Sequence, residues 1–165
     1  MNKASFFLSS GSPEETHRLG RQIGELAKPG DVYLLSGNLG SGKTCFTQGV
    51  AAGLGVVDNV MSPSFVIMRE HSGRLPLYHI DLYRLETLPE AIDLGLNEYL
   101  YGKGVSVIEW SERAESVLPA EHLSVYIDYK GDTERYIRLQ GAGARYSDII
   151  NRLKNIYRAD NIKNC

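Results

Sequence analysis

Several stretches of the chain carry the residue pattern of helices. The first begins with a capping box, in which Ser12 and Glu15 stand three residues apart, and its apolar residues return on one face. Thr87 and Glu90 repeat that spacing at the start of another stretch. Gly49 would slightly lower the stability of a helix that contains it, because glycine has a low helix propensity. We therefore predict helices within residues 12–30, from Thr44 to Gly53 or Gly55, at 87–100 and at 147–161.

Short apolar runs bounded by turn residues predict the strands. Residues 31–37 read as a buried strand, and residues 105–110 as a second one. Two further pairs of runs flank turn residues and predict β-hairpins, which are 65–70 with 74–81 and 123–129 with 134–141. No repeat or linker interrupts this order. Residues 1–165 are therefore predicted to fold as one α/β domain of three layers with a mixed parallel and antiparallel central sheet.

Composition and charge limit the class of protein. The chain is 42% hydrophobic and 23% charged, and its 165 residues suffice for a core without disulfide or metal staples. Cys45 and Cys165 form no framework, so we expect free thiols in a reducing cytoplasm. No export signal or long apolar run is seen, so no membrane association is expected. A net charge of −2 argues against binding DNA or RNA by bulk phosphate neutralisation.

The octapeptide "GNLGSGKT", which ends at Thr44, matches the phosphate-binding pattern G-x-x-x-x-G-K-[ST]. It lies between a predicted strand and a predicted helix, where backbone N–H groups and the helix N-terminus can face a phosphate. Its glycines permit tight backbone geometry, Lys43 places a charge on the β and γ phosphates, and Thr44 supplies a hydroxyl to Mg²⁺. The motif therefore predicts a P-loop NTPase domain that binds a nucleotide with Mg²⁺.

Three predicted strands end in an acid that could complete the Mg²⁺ site. Glu109 is the best placed, because a helix and a crossover precede its strand and would set that strand parallel to the P-loop strand. The hairpin leaves the direction of the other strand open, so Asp81 either serves the nucleotide or pairs with Arg84. Asp128 leads directly into a hairpin turn, which is sufficient reason for an aspartate there.

The nucleotide and the reaction follow in part from what the sequence lacks. The chain has no Asn-Lys-x-Asp element of the kind found in Ras-like GTPases, so ATP is the better interpretation. A small-molecule kinase is the alternative enzyme. It would need an acceptor pocket and a lid, and no insertion is long enough to be an obvious lid. Without an arginine finger in cis, hydrolysis should be slow until a partner completes the site. A nucleotide-sensing module without significant turnover is the alternative that is not an enzyme.

Four motifs in order resemble the TsaE family over almost the whole chain: "GNLGSGKT", "SPSF" at 62–65, "HIDLYRL" at 79–85 and "IEW" at 108–110. The resemblance implies an ATPase of the bacterial tRNA threonylcarbamoyladenosine machinery, with ATP and Mg²⁺ as cofactors and the TsaD and TsaB proteins as partners. Binding and hydrolysis of ATP would keep that complex turning over. The ATPase would not transfer the threonylcarbamoyl group, and it would meet tRNAs that read codons beginning with A only through the complex.

The same resemblance implies roles for individual residues. Lys43, Asp81 and Glu109 would be catalytic, and Thr44 with Glu109 would ligate Mg²⁺. Trp110 would lie near the nucleotide and the partner surface. The residues expected to bind ATP are Asn38, Leu39, Gly40, Ser41, Gly42, Lys43, Thr44, Ser64 as sensor of the γ-phosphate, and Arg135 from the last hairpin.

Overall fold

The centre of the computed structural model, which describes residues 3–63 and 67–163, is a mixed seven-stranded sheet. Its strands are β1 (Lys3–Ser10), β2 (Val32–Ser36), β3 (Met68–His71), β4 (Leu77–Asp81), β5 (Val105–Glu109), β6 (His122–Tyr129) and β7 (Arg135–Ala142). They lie in the order β1-β7-β6-β2-β5-β4-β3. β2 is parallel to β5 and β6, and β4 is parallel to β5, whereas the remaining pairs are antiparallel.

Helices cover both faces of the sheet. They are α1 (Pro13–Leu26), α2 (Lys43–Gly53), α3 (Leu88–Asp93), α4 (Asn97–Leu100) and α5 (Ala144–Lys163), with 3₁₀ turns at Ser111–Arg113 and Glu115–Val117. The helices α1, α2 and α5 share one hydrophobic core with the sheet, and α3, α4 and the segment after β5 share the other. In β2, Tyr33 and Leu35 face the first core while Val32 and Leu34 face the second, which explains its continuous apolar run. The three-layer α/β prediction is confirmed.

Most predicted elements are present, and identifiable contacts set their ends. The Ser12 hydroxyl accepts a hydrogen bond from the backbone N–H of Glu15 at 3.2 Å, as a capping box requires. The Glu15 carboxylate in turn accepts from the backbone N–H of Gly11 at 2.6 Å, one residue before the usual donor. This helix ends at Leu26. Both hairpins pair antiparallel, and residues 65 and 66 of the first lie outside the described part of the chain.

Residues 87–100 do not form the single helix that their spacing predicts. They form α3 and α4, which are separated at Gly95, where φ is +66°. The Thr87 side chain makes no capping hydrogen bond within the described residues, and the Glu90 carboxylate accepts instead from the backbone N–H of Glu86 at 3.1 Å. The prediction is wrong because a glycine in the left-handed region ends the helix.

The edge strand β1 is not among the predicted elements. It pairs with β7 over its full length, from Lys3 opposite Ala142 to Ser10 opposite Arg135. Its inward side chains pack against the core that contains α5, while Phe7 on the other face is 56% exposed. No hairpin turn joins β1 to β7, so the strand carries none of the turn signals that identified the other hairpins.

No helix in the described part of the chain combines the length and apolar character needed to cross a membrane.

Parallel pairing brings four strand ends to one edge of the sheet. Asp81 at the end of β4 stands opposite Glu109 at the end of β5, and β2 ends beside them at Ser36. β6 also runs parallel to β2, so Asp128 reaches the same edge. The direction of the Asp81 strand, which the sequence leaves open, thus places its acid beside the P-loop.

The helices α1 and α2 pack with their backbones in contact. A Cβ atom on Gly49 would lie 2.1 Å from the carbonyl oxygen of His17, and a Cβ atom on Gly20 would lie 2.2 Å from that of Phe46. The same close approach is found at Gly24 and Gly53. Gly49, which costs stability by helix propensity, is therefore what allows α2 to approach α1.

Replacing Gly49 with alanine should lower the free energy of unfolding by about 1–3 kcal/mol, because the new methyl group meets backbone that cannot move aside. The matched control is Gly131→Ala, where the nearest atom to a new Cβ is 4.0 Å away and the change should stay below about 0.5 kcal/mol. Urea unfolding followed by circular dichroism measures both. Equal stability of the two variants would contradict the close packing.

Candidate nucleotide-binding site

The loop between β2 and α2 has a backbone that only glycine adopts readily. Gly37 and Gly42 have φ values of +136° and +117°. A Cβ atom on Gly37 would also lie 1.9 Å from the carbonyl oxygen of Ile127. Gly42 is the N-cap of α2, so the loop ends at a helix N-terminus, whose unpaired N–H groups can receive a phosphate.

Lys43, the first residue of α2, is held against this loop. Its ammonium group donates to the carbonyl oxygens of Gly37 at 2.8 Å and Asn38 at 2.9 Å, and it lies 4.3 Å from the centre of the Trp110 ring. Burial lowers the pKa of Lys43 below its ordinary value. Nearby carboxylates, with Glu109 foremost, oppose this shift but do not cancel it. The cation is therefore kept at the loop by contacts that phosphate oxygens can replace.

The hydroxyl of Thr44 and the carboxylate of Glu109 meet beside the loop. Thr44 Oγ1 donates to Glu109 Oε1 at 3.1 Å, and the other carboxylate oxygen is hydrogen-bonded to His79 Nε2. Glu109 is only 2% exposed. Because a buried carboxylate needs compensation, these contacts are required to keep it at this position.

One hydroxyl and one carboxylate are a suitable protein contribution to a Mg²⁺ site. Mg²⁺ in nucleotide sites is usually bound by one or two carboxylates, with substrate phosphates and waters completing an octahedron. No group of three or more His, Cys, Asp or Glu side chains within residues 3–63 and 67–163 could hold a metal by itself. Thr44 and Glu109 therefore fit an ion that binds together with a nucleotide.

Asp81 faces the same cavity, and its carboxylate is fixed by two donors. Asp81 Oδ2 accepts from the Ser62 hydroxyl at 2.6 Å, and Oδ1 accepts from the backbone N–H of Tyr83 at 2.9 Å. No role is predicted for Ser62 from the sequence, although it is the first residue of the "SPSF" motif. Ser64, the expected γ-phosphate sensor, lies outside the described residues.

Trp110 has a left-handed backbone, with φ of +58°, which is unusual for a bulky residue. Its ring centre lies 5.0 Å from that of Tyr83, and the Arg113 guanidinium lies 5.8 Å from it. Backbone strain of this kind persists where the surroundings over-determine it, often at functional sites. Trp110 is thus fixed as a wall of the cavity beside Lys43.

Two cavities open on the P-loop and share some of its residues. The first has a volume of about 360 Å³ and is lined by Leu39, Gly40, Gly42, Lys43, Thr44, Cys45, Ser62, Asp81, Tyr83, Glu109 and Trp110. The second has a volume of about 300 Å³ and is lined by Pro13, Thr16, Gly40, Ser41, Gly42, Cys45, Asp132, Thr133 and Arg135. Of the predicted site residues that the structure describes, all line these cavities except Asn38, which lies in the same loop.

The hairpin of β6 and β7 braces the P-loop. The side-chain amide of Asn38 donates to Asp128 Oδ1 at 2.8 Å, and the Tyr129 hydroxyl donates to the carbonyl oxygen of Leu39 at 2.8 Å. A hydrogen bond from the Tyr126 hydroxyl is the main cause that lowers the pKa of Asp128. From the sequence, Asp128 is explained by its turn alone, because the contact with Asn38 depends on β6 lying next to β2.

Arg135 contacts the loop from the same hairpin. Its Nε donates to the carbonyl oxygen of Ser41 at 3.0 Å, and its guanidinium lies 4.5 Å from the centre of the Tyr129 ring. Arg135 therefore borders the second cavity while it supports the P-loop backbone. A direct contact between Arg135 and ATP stays a prediction.

Comparison with known proteins identifies relatives of this chain. Residues 10–137 match the family model described as "Threonylcarbamoyl adenosine biosynthesis protein TsaE". The tRNA threonylcarbamoyladenosine biosynthesis protein TsaE of Bacillus subtilis is 47% identical over 93% of this chain and 94% of that protein. The protein of the same name from Treponema pallidum is 43% identical over 78% of this chain and 95% of that protein. A crystal structure of Bacillus subtilis YdiB aligns with a TM-score of 0.82 and 39% identity, over 94% of this chain and 97% of that one.

Replacing Asp128 with alanine should weaken the binding of ADP by about 2- to 10-fold, because Asn38 loses the acceptor that fixes it. Asp128→Asn keeps a side-chain oxygen at the same place and should bind ADP within about 2-fold of the wild type. Isothermal titration calorimetry compares the three proteins. An alanine variant with wild-type affinity would show that the hairpin does not support the bound state of the loop.

Proposed function

The chain belongs to the TsaE family, and on that premise we propose that it is a Mg²⁺-dependent ATPase that serves the biosynthesis of threonylcarbamoyladenosine in tRNA. The observation that carries the ATPase assignment is the meeting of Thr44 Oγ1 and Glu109 Oε1 at 3.1 Å, with Lys43 at the start of the same helix. The pathway is inferred from the names of the relatives. The ATPase activity is inferred from the arrangement of the described residues.

The phosphates of ATP bind in the P-loop. Lys43 exchanges the carbonyl oxygens of Gly37 and Asn38 for oxygens of the β and γ phosphates. Thr44 and Glu109 would hold Mg²⁺, which would neutralise charge on those phosphates. The nucleoside part takes the second cavity, between the start of α1 and the β6–β7 hairpin.

Asp81 orients the attacking water. Its carboxylate lies in register with Glu109 and is 4% exposed, so it faces the first cavity with little competition from bulk solvent. The donors Ser62 and Tyr83 fix its orientation, which is what a residue that positions a water requires.

Hydrolysis of ATP by the chain alone is slow. The TsaD and TsaB proteins are the partners that accelerate it, and the complex acts in the cytoplasm. Two arginines near the site hold backbone oxygens, since Arg113 donates to the carbonyl oxygen of Leu85 at 3.0 Å and Arg135 donates to that of Ser41. An arginine finger contributes about 10³- to 10⁵-fold to such rates, so a finger supplied by a partner would accelerate hydrolysis at this site. The chain meets tRNA through that complex, in keeping with its net charge of −2.

Phosphate release from ATP, measured alone and with TsaB and TsaD, tests this proposal. We expect a slow basal rate that rises with the partners, and a loss of about 100-fold or more in Lys43→Ala and Glu109→Ala because each removes charge stabilisation at the phosphates. Lys28→Ala removes an exposed lysine that precedes β2, at the opposite edge of the sheet, and should leave both rates unchanged.

Modification of tRNA followed in the same reactions links the ATPase to the pathway. Multi-turnover modification should depend on the wild-type protein and fail with both active-site variants. Phosphate release and modification that ignore TsaB and TsaD would contradict the partner assignment. Transfer of phosphate to a small acceptor would instead identify a kinase, and ATP binding without any phosphate release would identify a nucleotide sensor.

A further inference from the structure

His79 on β4 is a buried polar residue to which the proposed mechanism gives no role. It is 0% exposed, and its Nε2 is hydrogen-bonded to Glu109 Oε2. Its other ring nitrogen, Nδ1, has no hydrogen-bond partner among the described residues. The contact with Glu109 is therefore the one polar interaction assigned to this imidazole in that part of the chain.

The partners of Glu109 determine which nitrogen of His79 carries the proton. A carboxylate accepts hydrogen bonds and donates none, so the nitrogen that faces Oε2 must be an N–H group. In a neutral imidazole Nδ1 is then a bare acceptor, and a buried acceptor without a partner is costly. Packing at this face of the strand does not require a polar side chain. Leu77, two residues earlier on the same face, is equally buried and is apolar.

The two oxygens of Glu109 are divided between two donors. Oε2 is bonded to His79 from β4, and Oε1 accepts from Thr44 of α2. Rotation of the carboxylate would break the bond to His79, so this bond fixes the direction in which Oε1 points. Residues that orient a metal ligand through a hydrogen bond affect metal affinity without touching the metal.

We infer that His79 is a positioning residue that holds the Glu109 carboxylate so that Oε1 faces Thr44 and the Mg²⁺ position. This inference rests on the proposed function, because it takes Thr44 and Glu109 as the Mg²⁺ ligands. It gives the histidine of the "HIDLYRL" motif a role distinct from that of Asp81, which lies two residues further along the same strand.

Two variants separate positioning from packing. His79→Leu removes the donor at similar volume, whereas His79→Gln retains a side-chain N–H of comparable reach. We expect the Mg²⁺ affinity of the ADP complex to fall about 10- to 100-fold in the leucine variant and to recover to within about 5-fold of the wild type in the glutamine variant. Affinity for ADP in the presence of EDTA should stay within about 2-fold in both, because the phosphate loop keeps its contacts.

The fluorescence of Trp110 provides the measurement. It is the only tryptophan, it follows Glu109 directly, and it lies 4.3 Å from the Lys43 ammonium. Mg²⁺ is titrated into each protein with saturating ADP, and the emission gives the affinity without any turnover. Leu77→Ala is the control for lost packing on the same strand, and it should lose stability while it keeps wild-type Mg²⁺ affinity.

Each result decides the inference. Wild-type Mg²⁺ affinity in His79→Leu, equal losses in the leucine and glutamine variants, or the same loss in Leu77→Ala would overturn it. Should the leucine variant fail to fold, nitrogen-15 NMR of the wild-type imidazole decides, since a proton on Nδ1 instead of Nε2 would overturn it. Failure of the wild-type ADP complex to bind Mg²⁺, by emission and by calorimetry, would overturn the proposed function and the inference with it, whereas the other results leave the proposed function standing.

Discussion

The buried carboxylate of Glu109 is the constraint on which this structure depends. A carboxylate removed from water is tolerated only when neighbouring groups compensate it. The compensation comes from separate segments of the chain, through Thr44 on α2, His79 on β4 and the nearby cation of Lys43. Each of these residues must arrive at the end of β5 together, so the pairing of the central strands and the assembly of the site are one physical problem.

The parallel register between β4 and β5 provides that arrangement. It places Asp81 opposite Glu109 and directs His79 toward the same face. Successive side chains of a strand point to opposite faces, so a slip of one residue would exchange Asp81 for Ile80. The acid would then point into the core beneath α3 and α4, where Ile80 now packs. The apolar cores on both sides of the sheet therefore specify the register that the acids need.

Features that depend on residues close together in the sequence could be predicted. Features that depend on contacts between distant segments of the chain could not. The P-loop strand and helix and the Ser12 cap are short-range, so their residues identify them. The environment of Asp128 depends on β6 lying beside β2, which no local pattern shows.

Two glycines illustrate the same limit. From the sequence alone, Gly49 only lowers the stability of its helix. Its role in packing becomes visible once the α1 backbone is seen to lie against it. Gly95 interrupts a stretch whose spacing otherwise predicts a single helix. The contacts with ATP and Mg²⁺ that the family resemblance implies stay predictions. The residues expected to make them lie together at one edge of the sheet, as far as the structure describes them.

The backbone contact between α1 and α2 makes these two helices one rigid block. The first residues of α1 border the second cavity, and α2 carries Lys43, so one wall of that cavity and the base of the phosphate loop must move together. The opposite wall, which Asp132, Thr133 and Arg135 form, belongs to the hairpin of β6 and β7. A change in the width of this cavity therefore requires the hairpin and the pair of helices to shift against each other, across the hydrogen bond from Arg135 to Ser41.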